Sequence, residues 1–149
     1  MSKECVILLV EDGENDAFLF RFLLGRLGFD GKLLHVWDSE SAARYVEGRL
    51  PYSDRQQYPF PDFMVVDCML SSQGCIDLPS WRKEHPLAKD MPMIFLTGGI
   101  TPSARARLES FGTPVIDKTT DQKQIQENFR RALHLLPEHC RAWLKPRPQ

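Results

Sequence analysis

Short apolar runs recur along the chain, and each is closed by polar or charged residues. Cys5–Val10 runs into Glu11-Asp12, and Phe63–Val66 runs into Asp67. Met93–Leu96 runs into Thr97-Gly98-Gly99, and Val115-Ile116 into Asp117-Lys118. Runs that are apolar at every position suit strands covered on both faces, as in a parallel sheet. Between these runs the period changes. Ala17, Phe20, Leu24 and Leu27 recur at helical spacing over residues 15–27, and Gly28 marks the stop. The neighbouring Phe18 and Phe22 are core candidates with Phe20. A short second strand is expected near Lys32–Val36. Asp38 or Ser39 then caps a helix through Ala42, Ala43 and Val46 to Gly48.

Arg49 to Pro61 reads as a polar, proline-marked loop carrying Tyr52, Tyr58 and Phe60. It exceeds the usual connection of about 2–6 residues. The third strand is Phe63–Asp67. A loop around Ser71–Gly74 leads to a helix through Leu78 and Trp81 that stops near His85-Pro86. Strand four is Met93–Thr97, and an arginine-rich helix follows over Ser103–Phe111 with Pro102 beside its start. Strand five is Val115–Asp117. The last helix starts near Asp121, buries Ile125, Phe129, Leu133 and Leu136, and meets Pro137. Strands alternating with helices in this way predict an α/β fold. The expected sheet is parallel and five-stranded, flavodoxin-like (βα)5, with strand order 2-1-3-4-5.

In such a sheet the carboxyl ends of the strands open into one crevice. That places Glu11, Asp12 and Asp67 together, with Lys118 near them. At a separation of about 4 Å, each pair of like charges costs roughly 1 kcal/mol in water and roughly 4 kcal/mol near a protein surface. A divalent cation would offset that repulsion, and Lys118 would reduce it further. The expectation is a Mg²⁺ site beside a nucleophilic or phosphate-accepting aspartate.

Composition narrows the classes. The 149 residues are 42% hydrophobic and 26% charged with a net charge of -1, which describes an ordinary globular domain with no basic nucleic-acid footprint. No apolar run approaches the roughly 20 residues that cross a membrane. The N-terminal run lacks the marks of a signal peptide, so the expected compartment is the cytoplasm and Cys5, Cys68, Cys75 and Cys140 are expected as reduced thiols. No Cys-x-x-Cys pair suggests zinc. His35, His85, His134 and His139 are scattered and read as structural or solvated. No Gly-x-Gly-x-x-Gly turn or Walker loop follows a strand.

Taken together, Ile7-Leu-Leu-Val-Glu-Asp12, Pro61-Asp-Phe-Met-Val-Val-Asp67, Pro92-Met-Ile-Phe-Leu-Thr97 and Lys118 resemble the receiver domain of two-component response regulators. The likeness spans roughly residues 4–136. It is strongest to the single-domain type, which includes the chemotaxis regulator and the small regulators of bacterial phytochromes. The resemblance implies that Asp67 is the phosphoacceptor and that Asp12 and Asp67 ligate Mg²⁺ directly. It further implies that the Met69 backbone carbonyl completes the protein ligands and that Glu11 reaches the metal through water. Lys118 would pair with a phosphoryl oxygen, and Thr97, followed by Gly98, would receive another. The implied partners are a sensor histidine kinase or histidine phosphotransfer protein and a downstream protein target, with a homodimer open through the tail. Such a protein is a phosphoacceptor rather than a true enzyme. Residues 1–137 would form the receiver domain and 138–149 a tail carrying Trp143, without a separate output domain.

The chain departs from the family pattern at three places. Val115 replaces the usual aromatic switch residue, and Thr119 replaces the proline after the lysine. The loop after Asp67 has Ser71 and Gly74, and looks one residue short. Met69 and Gly99, at positions that tune phosphoryl loss, offer no side chain to orient water, so slow self-hydrolysis is expected. These departures keep a second reading open: a pseudo-receiver adaptor that binds partners without a phosphorylation cycle. A phosphatase of the haloacid dehalogenase type would need an acid at Met69, which is absent.

Overall fold

Five parallel strands form one sheet in the order β2-β1-β3-β4-β5. They are β1 (Val6–Val10), β2 (Lys32–Val36), β3 (Phe63–Cys68), β4 (Met93–Thr97) and β5 (Val115–Asp117). The helices are α1 (Glu14–Arg26), α2 (Ser39–Glu47), α3 (Gln73–Glu84), α4 (Pro102–Ser110), α5 (Gln122–Leu133) and a single turn, α6 (Glu138–Arg141). The computed structural model describes residues 4–68, 73–118, 121–134 and 138–141. Expectations for Met69, Ser71, Thr119, Leu136, Pro137 and Trp143 fall outside the described residues.

The apolar runs form fully buried strands, as their composition requires: every residue of β1 and β4 is buried. Alternation along each strand divides the core in two. Ile7, Leu9, Phe63, Val65, Ile94, Leu96 and Ile116 face α1 and α5, where they meet Phe20, Leu24 and Phe129. Leu8, Val10, Met64, Val66, Met93 and Phe95 face the opposite side and meet Val46, Leu78 and Leu108 of α2, α3 and α4. Burying each of these large side chains contributes about 1.5–3 kcal/mol.

The expected buried face of α1 holds, with Ala17, Phe20, Leu24 and Leu27 all buried. Phe18 and Phe22 do not join it: they are 67% and 52% exposed. Two residues along a helix turn a side chain through about 200°, so Phe18 and Phe22 cannot share the face of Phe20. Ile125 of α5, expected as core, is only partly buried.

The long connection from α2 to β3 is also more than a polar loop. Tyr45, Tyr52 and Tyr58 pack ring to ring, with centroids 5.1, 5.2 and 6.0 Å apart. Arg55 reaches back to the end of α2. Its Nη1 donates to the Tyr45 carbonyl at 2.9 Å, and its Nη2 donates to the Val46 carbonyl at 2.8 Å. A helix leaves its last carbonyls short of partners. The guanidinium supplies a donor to Val46 and a second one to Tyr45, whose carbonyl also accepts from the Gly48 amide at 3.1 Å. Gly48 closes α2 in the left-handed conformation (φ 71°), beneath that guanidinium.

Candidate functional site at the carboxyl ends of the strands

Strand alternation decides where each polar terminus points. Asp67 continues the Phe63, Val65 series and Lys118 continues the Ile116 series, so both emerge on the α1/α5 side. There the Lys118 ammonium forms an ion pair with Asp67 Oδ2. The Asp67 side chain is 6% exposed and that of Lys118 is 29% exposed, so the pair is shielded more than an ordinary surface bridge.

Glu11 enters the same site from β1. Its amide donates to the Val36 carbonyl at 3.0 Å, and its Oε1 accepts from the Gly13 amide at 2.9 Å. The residue is 2% exposed. Its Oε2 is buried without a hydrogen-bond partner. Burial, and then the neighbouring Asp67 carboxyl, push the Glu11 carboxyl up to about 9, against the opposing pull of the Gly13 amide. Asp12 adds a smaller upward push from the solvent-exposed rim.

Four of the expected residues, Glu11, Asp12, Asp67 and Lys118, therefore gather at one place. Thr97 lies opposite Cys68 in the β3–β4 register, one residue beyond Asp67. It is 1% exposed, and its Oγ1 accepts from the Gly99 amide at 3.0 Å. Its carbonyl accepts from the Lys118 amide at 2.7 Å. An ideal Cβ built on Gly98 or Gly99 would meet nothing within 4 Å, so the chain after Thr97 borders open space. Val115 is partly buried and packs on the core facing α2–α4. Met69 lies outside the described residues.

Among the described residues, no group of three or more His, Cys, Asp or Glu side chains converges to hold a metal ion. Mg²⁺ does not require such a cage, because it keeps several waters and takes one or two carboxylates. The residues present fit that requirement. Glu11 Oε2 is a buried oxygen beside Asp67 with no hydrogen-bond partner, and every available side-chain ligand is a hard oxygen.

An apolar pocket of about 270 Å³ adjoins the ion pair between α1 and α5. Asp67 and Lys118 form part of its wall, with Leu19, Phe20, Leu23 and Ile125 opposite. Sequence reasoning missed this pocket, although Leu19 and Leu23 have the i, i+4 spacing that marks a shared helix face. It also missed the bond from Arg105 of α4 to Asp117, which alternation sends to the α4 side of β5. The third omission is the His35 ring at Glu11. Its Nε2 lies 2.7 Å from the Glu11 carbonyl oxygen.

No protein-family model and no curated protein matches the chain. Solved structures do. The response regulator RPA3017 in red light signaling of R. palustris superposes with a TM-score of 0.78 at 19% identity, over 91% of this chain and 95% of that one. The phosphorylated cyanobacterial phytochrome response regulator RcpA gives 0.76 at 19% identity, over 90% and 94% of the two chains. The Mn²⁺-bound form of response regulator Rcp1 gives 0.74 at 20% identity, over 90% and 96%. The sheet order, the helices on its two faces and this overlap along nearly the whole length establish that the chain has the fold of response-regulator receiver domains.

Proposed function

We propose that this chain is a response-regulator receiver that accepts a phosphoryl group on Asp67 and signals through changed protein contacts. The donor is a phosphohistidine on a sensor histidine kinase or a phosphotransfer protein. The observation that carries the reading is the pairing of Asp67 with Lys118 beside the buried Glu11, from three different strand ends. An Asp67 carboxylate oxygen attacks phosphorus, the bond to the donor nitrogen breaks, and the donor imidazole leaves with its electron pair. Lys118 neutralises charge on the phosphoryl oxygens, and the Thr97 hydroxyl donates to one of them after transfer. Asp12 and Asp67, with the Met69 carbonyl, would hold Mg²⁺, and Glu11 would reach it through water. Bound there, Mg²⁺ supplies positive charge to the transferring group. Phosphoryl transfer is mainly positioning and charge neutralisation, so this set of groups is sufficient.

The test is incubation of the purified protein with acetyl phosphate and Mg²⁺, followed by intact mass. A phosphoryl adduct that vanishes in Asp67→Asn and without Mg²⁺, and weakens in Asp12→Ala, supports the reading. An adduct that persists in Asp67→Asn overturns it. A second reading, an adaptor that keeps the fold without cycling, draws on Val115, which brings no ring to swing and packs on the core facing α2–α4. Under that reading the parent protein gives no adduct and no response to beryllium fluoride.

A further inference from the structure

The Glu11–Asp12 segment is gripped from β2 beyond the end of the strand pairing. The β1–β2 register ends at Val10 opposite Val36. One residue later the Glu11 amide still donates to the Val36 carbonyl, at 3.0 Å. The Glu11 carbonyl then meets the His35 side chain, with Nε2 at 2.7 Å. A carbonyl cannot donate, so Nε2 carries the proton and gives it to this bond. The His35 ring is itself braced by Trp37, at a centroid distance of 4.1 Å and an interplanar angle of 35°. Trp37 is 51% exposed, a large apolar cost at the surface, and its ring covers the imidazole.

We propose that His35 is a positioning residue for the acid pair. Its Nε2–H and the Val36 carbonyl clamp the Glu11 peptide from both sides, while Trp37 fixes the imidazole. Three of the four polar groups of Glu11 are thereby held in place: the amide by Val36, the carbonyl by His35 and Oε1 by Gly13. The fourth, Oε2, is buried and unpartnered. A residue fixed at three points with a buried, unpartnered oxygen at the fourth is a preorganised ligand arm, and Asp12 follows it by one peptide bond. Because the Glu11 carbonyl belongs to the peptide that carries the Asp12 amide, the His35 bond sets the plane from which Asp12 departs. The β2 edge thus orients ligands that it does not itself supply, as outer partners of metal ligands do. As an account of Mg²⁺ binding, this inference rests on the function proposed above; the clamp itself does not.

Two measurements separate the inference from that reading. In metal-free protein, His35→Phe keeps a ring against Trp37 but loses the donor. The Glu11 amide should then exchange with solvent about tenfold faster, and His35→Gln, which restores an Nε2–H donor, should return it close to the parent rate. In calorimetric titration with Mg²⁺ alone, His35→Phe should weaken binding about tenfold, and His35→Gln less than threefold. The metal-free thermal midpoint should barely move. Unchanged exchange in His35→Phe overturns the clamp, and unchanged Mg²⁺ affinity overturns its role toward the metal. A parent protein that binds no Mg²⁺ overturns the proposed function, whereas faster exchange in His35→Phe would still support the clamp. Should His35→Phe fail to fold, Trp37→Leu removes only the brace, and unchanged exchange and affinity in that variant overturn the inference.

Discussion

Glu11 holds the least comfortable carboxyl among the described residues. Its ordinary value is 4.5, and in the folded protein it is pushed up to about 9. Between those values the folded state keeps a proton that the unfolded chain has lost. Unfolding stability therefore falls as pH rises through this window, by at most about 1.4 kcal/mol per pH unit. Below pH 4.5 this contribution is fully present, and above 9 it has been lost. Glu11→Gln keeps the shape of the side chain and removes the titration. Its thermal midpoint, followed by circular dichroism without metal from about pH 6 to 8, is expected to be flatter than that of the parent, and higher at pH 8. A parent midpoint that rises over the same range would contradict the assignment. Excess Mg²⁺ should flatten the parent profile, because a dication favours the ionised carboxyl.

At the scale of elements, α1 offers a direct contrast. Phe20 is 4% exposed and meets Phe129 of α5 edge to face at a centroid distance of 5.2 Å, whereas Phe22 is 52% exposed. Phe20→Ala is expected to cost about 3–5 kcal/mol by urea unfolding, and Phe22→Ala less than about 1 kcal/mol. The α2 terminus gives a second prediction. Arg55→Ala leaves the Tyr45 and Val46 carbonyls without their guanidinium donors and removes its stacking on the Tyr45 and Phe60 rings. The expected loss is about 1–2 kcal/mol, and faster amide exchange in the last turn of α2 would locate it. Much of this scale was legible in the sequence. Fully apolar runs can lie only between two layers of helices, and the 3.6-residue period of Ala17, Phe20, Leu24 and Leu27 selects one face of α1. Phe18 and Phe22 were misread because aromatic identity was weighed above angular position. The Arg55 cap was invisible because it depends on a loop folding back on a helix it follows. Loop composition does not encode that geometry.

At the scale of the whole molecule, the candidate site was legible to the extent that the sheet order alone creates it. Once strands 1, 3 and 5 end on the same side, Glu11, Asp67 and Lys118 must meet. Contacts that depend on register or parity between distant strands, such as His35 to Glu11 and Arg105 to Asp117, could not be read from spacing. One global prediction follows from Gly99, which brings no side chain to the open space beside Thr97. If Asp67 is phosphorylated, its adduct should outlast many minutes at neutral pH in the presence of Mg²⁺, followed by intact mass. Decay within seconds would require a water-orienting group elsewhere.

The three-residue strand β5 carries a mechanical consequence. Asp117 and Lys118 are joined by a single peptide unit, yet the first is tied to Arg105 of α4 and the second to Asp67 across the sheet. A planar peptide cannot twist internally. A displacement of this peptide unit therefore moves the backbone anchors of both side chains together. The outer surface along α4 and the acidic crevice thus hang from the same short pivot, whatever ligand tips it.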